Sequence, residues 1–125
     1  MVARVQNNGL ARITSLLAAA SWWLQWGTGS GAAATANVVT TTTTTEARTA
    51  ASTAQGTTTV TNDKLVLTGT ITAAGARDIT EVGSFDAVGS GSPPTGGNMD
   101  VYGDFSVINL ATSDSIAFTV NVTFS

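Results

Sequence analysis

The closing segment "SIAFTVNVTFS", residues 115–125, constrains the fold more than any other stretch. Ile116, Phe118, Val120, Val122 and Phe124 alternate with Ala117, Thr119, Asn121 and Thr123. Successive side chains of a strand point to opposite faces, so this segment has one apolar face and one polar face. It needs a second apolar layer to cover it. The segments upstream supply candidates. In "TTTVTNDKLVLTGTITA", residues 57–73, Leu65, Leu67 and Ile71 share a face, and Asn62-Asp63 is a turn candidate. "ITEVGSFDAV", 79–88, reads as the next strand. "NMDVYGDFSVI", 98–108, places Met99, Val101, Phe105 and Val107 inward. Between them lie turn-rich segments: "AAGARD", "NLATSD", and "GSGSPPTGG" at 89–97, which holds both prolines of the chain. Short strands separated by turns indicate an all-β sandwich or barrel, and an antiparallel β-sandwich is expected.

The N-terminal part reads differently. Leu10, Ile13, Leu16, Leu17 and Ala20 follow helical spacing, with Asn8 or Gly9 as a cap. A signal-like look at "ARITSLLAAASWW" is weakened by its short apolar run and by Asn7, Asn8 and Gly9 before it. The glycines of "WGTGSG", 26–31, are expected to end this element. The predicted organisation is an arm or short helix with a Gly-rich linker over 1–31, followed by a sandwich domain over 32–125. Residues 32–45, rich in Ala and Thr and ending in six threonines, Thr40–Thr45, are read as a strand or extended arm.

Charged residues make up only 10% of the chain, against roughly 25% in an average soluble domain. A surface of Thr, Ser and Asn suits dense packing beside copies of the same chain. The five basic residues are scattered and the net charge is −3, so there is no stripe to neutralise phosphates and no nucleic-acid partner is expected. No apolar run is long enough to span a membrane as a helix. Cysteine and histidine are both absent, which removes thiolate chemistry, Ser–His pairs and the common zinc ligands. No catalytic residue, cofactor or metal site is expected.

The acids of "EVGSFDA" were the remaining enzymatic candidates. Glu81 and Asp86 differ by an odd number of positions and point to opposite faces of a regular strand. Asp100 and Asp104 share a face but lie about 13 Å apart along it, whereas glycosidase pairs need roughly 5–9.5 Å. Cross-strand pairing remains a way to bring Asp86 near Asp100 or Asp104. Solvated edge charges, or a pair with Arg77, are the simpler reading. Trp22, Trp23 and Trp26 read as core or interface anchors, with a sugar-stacking platform as the other use of clustered rings. Glu46 and Arg48 share a strand face and are candidates for a contact between subunits or with a lattice.

Taken in order, "WGTGSG", "EARTA", "TTTVTNDKLVLTGTITAAGARDITEVGSFDA" and "GDFSVINLATSDSIAFTVNVTFS" resemble a family of small tailed-bacteriophage virion proteins, the capsid decoration or cement proteins. The resemblance covers about residues 22–125. The Thr40–Thr45 run and the "GSGSPPTGG" loop depart from the family's pattern. The resemblance implies a compact, jelly-roll-like β domain that assembles as a homotrimer on the outer face of the head and bridges subunits of the phage major capsid protein. It carries no catalytic residue. Residues 1–26, with Arg4, Arg12 and the three tryptophans, are expected to reach away from the β domain as an arm. A head-fibre or tail module binding a host glycan is the alternative.

Overall fold

The computed structural model describes residues 1–29 and 44–125. Most of the tract expected to be extended, 32–45, lies outside the described residues. The element order is α1 (Asn7–Ala18), β1 (Trp23–Gly27), β2 (Thr49–Ala50), β3 (Ser52–Gly56), β4 (Lys64–Thr72), β5 (Arg77–Phe85), β6 (Met99–Leu110) and β7 (Ser115–Thr123). Two antiparallel sheets form, ordered β2-β1-β5-β6 and β3-β4-β7. The chain is the all-β antiparallel sandwich that its alternation predicts, with one short N-terminal helix.

The strand faces explain the packing. Leu65, Leu67 and Ile71 of β4 are buried, and β7 pairs along the whole of β4, from Lys64↔Thr123 to Thr72↔Ser115. Ile116, Phe118 and Val120 therefore add to the same inner face. Phe118 meets the edge of Trp26 at 6.4 Å and the ring of Phe105 at 6.1 Å. Leu24, Trp26, Ile79 and Val82 complete this cluster from the opposite sheet. A second cluster gathers Trp22, Leu65 and Leu67 under Leu17, Ala18, Val122 and Phe124.

Three expectations are corrected here. The expected separate N-terminal unit, 1–31, does not stand apart over its described elements, residues 7–27. Trp23–Gly27 is a central strand, paired with β5 from Trp23↔Phe85 to Gly27↔Glu81. Residues 1–6 lie ahead of α1 and are all exposed. The helix starts at Asn7 with Gln6 as its N-cap and no side-chain cap bond, so Asn8 and Gly9 lie inside it. Finally, Val107 does not point into the core but is 52% exposed. The β5–β6 register shifts between Ile79↔Ile108 and Glu81↔Asp104. That irregularity resets the alternation of β6 after Phe105.

α1 is held by its buried side and its C-terminal carbonyls. Thr14 is fully buried; its hydroxyl donates to Asn62 O at 2.6 Å and accepts from Gln55 Nε2 at 2.7 Å. The carbonyl of Leu17 accepts from Trp22 Nε1, and that of Ala18 from Thr53 Oγ1, both at 2.7 Å. These bonds satisfy acceptors that a helix end would otherwise leave open. The predicted turn at Asn62-Asp63 is present, with Asn62 at φ 58°. Asp63 is buried and accepts from the Thr58 hydroxyl and from the amides of Thr58, Thr59 and Val60. That carboxylate organises the β3–β4 connection.

The two sides of the sandwich differ. On one side the chain passes from β2 to β3 through Ala51, tying the sheets together. On the other side β6 and β7 are the outermost strands of their sheets. Among the described residues neither has a second strand partner. Ile108 sits opposite the fully buried Ile79 and so on the core side of its sheet, yet it is 39% exposed. Among the described residues Phe105 and Leu110 of β6 pack on the core, whereas Ile108 between them is left partly uncovered.

Candidate interaction surface

The sequence candidates separate into buried anchors and exposed groups. Trp22 and Trp26 are buried, with their N–H groups donating to Leu17 O at 2.7 Å and Thr44 Oγ1 at 3.1 Å. Trp23 is half-buried on β1. This placement removes two of the three rings from any exposed stacking platform. Arg4 and Arg12 are exposed.

Glu46 and Arg48 are not available for a contact between copies. Both are buried, and each takes its own partners inside the protomer. Glu46 Oε1 accepts from Ala74 N at 2.9 Å and forms an ion pair with Arg77 Nε at 3.2 Å. Burial pushes this carboxyl up, but the Ala74 amide, the Thr44 side chain and Arg77 outweigh it and hold it below its ordinary value. The Arg48 guanidinium lies 3.6 Å from the centre of the Phe85 ring. It donates at 2.8 Å to Gln25 Oε1, Ala87 O and Gly96 O. Burial lowers its affinity for the proton, and the charge of Asp86 opposes that effect. These two residues fasten segment 44–48 and the 86–97 loop to the end of the larger sheet. The sequence showed their common face but not that it points inward.

The acids sit in different surroundings. Glu81 is fully buried, and its Oε2 accepts from the Tyr102 hydroxyl at 2.8 Å. Asp86 is exposed and accepts from Asn98 N at 2.7 Å and Asn98 Nδ2 at 2.9 Å. The backbone bond from Asn98, followed by its side-chain bond, holds the Asp86 carboxyl below the ordinary range. Asp100 is shifted the other way, by burial first and by the negative charge of Asp86 second.

These two aspartates border a largely apolar concavity. It has a volume of about 430 Å³. Leu17 and Ala20 of the α1 end, Trp22, Leu65, Val122 and Phe124 form its walls, with Asp86 and Asp100 at one side. The cross-strand route to Asp100 considered from the sequence is the one that occurs, because β5 and β6 pair at Phe85↔Met99. What the sequence did not show is the wall opposite, since it depends on α1 folding back across β3 and β4. Among the described residues, no three acidic, histidine or cysteine side chains converge as a metal site.

No family model, curated protein or solved structure matches this chain.

Proposed function

We propose that this protein is a structural virion component that decorates and stabilises a phage capsid, bridging major capsid protein subunits as a homotrimer. The observation that supports this best is the open side of the sandwich. β6 and β7 are outermost strands there, in contact through Phe105 and Phe118, and Val107 and Ile108 are exposed at 52% and 39%. Unpaired edges and uncovered apolar side chains are what an assembling β protein presents to its neighbours. The chain's low charge lets many copies sit close together with little mutual repulsion. The tails of residues 1–6, also exposed, add a second reaching element. In this reading the protein works by binding rather than catalysis, on the outer surface of the head, and the jelly-roll likeness belongs with it.

The test is to mix the purified protein with undecorated heads of a tailed phage and image the particles. Density of three-fold symmetry at fixed lattice positions, together with a raised disruption temperature of the heads, is expected. Val107→Lys with Ile108→Lys should abolish that density while the free protein stays folded. Saturable binding to host polysaccharide, with no binding to heads, would replace this reading with the glycan-binding one.

A further inference from the structure

We propose that the apolar cleft between α1 and the β6 and β7 ends receives residues Met1–Val5 of a second copy of this chain, with Arg4 of that copy between Asp86 and Asp100. The inference stands on the cleft and the arm alone and does not depend on the capsid reading.

The two surfaces are complementary in chemistry. The cleft has walls of Leu17, Trp22, Leu65, Val122 and Phe124, and its charged groups are two carboxylates. The arm reads Met-Val-Ala-Arg-Val. Met1, Val2 and Val5 are exposed at 119%, 87% and 59%. A segment whose one charged side chain is a cation thus faces a largely apolar groove bordered by two carboxylates and Ser21. Asp100 already feels the repulsion of Asp86, and a guanidinium placed between them would relieve it. Arg48 lies beneath Asp86, but its guanidinium is committed to Gln25, Ala87, Gly96 and the Phe85 ring.

The arm cannot fill the cleft of its own chain. The cleft is lined by the C-terminal end of α1, at Leu17 and Ala20. The arm leaves from the other end, and Leu17 is about 15 Å from Asn7 along the helix axis. The Cα of Val5 is at most about 7 Å from that of Asn7, and the Cα of Arg4 about 10 Å. Laying Met1–Val5 across the cleft would need the chain to double back along the whole helix. Instead Val5 rests by Gly9, one turn into α1, and the residues before it are exposed. A neighbour's cleft has no such restriction.

Donating an arm from one surface and receiving one on another is a head-to-tail contact, which closes into a ring when the rotation allows. One five-residue arm buries less than the roughly 800 Å² per partner of a stable interface. A closed ring lets each copy give one arm and take one.

The experiment uses the full-length chain. It contains no cysteine, so introduced thiols report without background. Differently tagged Val2→Cys and Ala20→Cys chains are mixed and oxidised; a disulfide between the two tags is expected. Sedimentation is then measured for Arg4→Asp, Asp100→Arg and the double swap. Each single change should raise the concentration for half-association about tenfold, by placing like charges together. The double swap should restore it. Arg4→Asp alters an exposed residue outside the folded elements, so its effect is not a folding defect. A chain that stays monomeric, association indifferent to Arg4→Asp, or no disulfide between the two tags would each overturn the proposal.

Discussion

Replacing Arg48 by methionine tests the internal polar anchor. Methionine keeps an unbranched apolar stem over Phe85 but cannot donate. Three bonds at 2.8 Å are lost. They do not count equally. Gly96 is exposed and Ala87 half-buried, so water can replace the donor at those carbonyls. Gln25 is 4% exposed, and an orphaned oxygen there costs about 1–3 kcal/mol. Loss of the cation from the ring adds roughly 0.5–2 kcal/mol. Against this, the mutant no longer buries a guanidinium whose Nη2 has no hydrogen-bond partner. The expected net loss is about 2–4 kcal/mol. The second arm of the test is Gln25→Met, alone and combined with Arg48→Met. Removing both partners takes away the orphaned group, so the double variant should lose less than the sum of the singles, with a coupling of about 1–2 kcal/mol. Urea denaturation at one fixed protein concentration measures all four proteins, since association would otherwise shift the midpoints. A single-mutant loss below about 1 kcal/mol, or simple additivity, would refute the claim that Arg48 and Gln25 form one buried unit.

Further outcomes follow from the core, the termini and the acids. Phe118→Ala should cost on the order of 3–5 kcal/mol by chemical denaturation, through the cavity left between Trp26 and Phe105. Deleting residues 1–5 should change the unfolding stability of the dissociated protein by no more than about 0.5 kcal/mol. Deleting 1–20 should unfold the protein by circular dichroism, because it uncovers Leu65, Leu67 and Trp22. Asp63, Glu46 and Asp86 have folded pKa values below their unfolded ones, so their stabilisation is present above about pH 4 and lost as pH falls below it. Thermal melts of Asp63→Asn should therefore show a loss at pH 7 that shrinks toward pH 2. Asp100 has the opposite sign: its folded value is raised, so its ionised form costs stability above that value. Asp100→Asn should melt slightly higher than the parent at pH 7, with the difference vanishing at pH 3.

The strands were legible where one face met the core and the other met water. β7 shows this best, since Phe118 is buried while Ala117 and Thr119 are exposed. Legibility failed where two periods overlapped. Leu10, Leu17 and Ala20 carry a helical spacing that runs into Trp22, Leu24 and Trp26, a strand spacing, and the change at Ala18–Trp22 has no proline to mark it. The N-terminal segment therefore read as a separate arm. β6 failed for another reason. Its register shift moves Val107 out of phase, and its place at the sheet margin leaves Ile108 uncovered although it faces inward. The cleft was legible only in part. Asp86 and Asp100 were foreseeable as cross-strand neighbours, whereas the tryptophan and helix wall needed the fold-back of α1.

The central place of β1 has a consequence for synthesis. Its partner β5 lies far downstream, with Trp23 opposite Phe85 and Gly27 opposite Glu81. A ribosome adding roughly 5–20 residues per second leaves the first strand without that partner for about 3–12 s. During that interval Trp22, Leu24 and Trp26 have no second sheet to cover them. The helix can form within microseconds, but it covers only the Leu65 end, and only once β4 has emerged. The most aromatic part of the chain is thus made first and enclosed late, so yield in a host cell should depend on temperature and on chaperone capacity more steeply than the stability of the finished fold alone would require.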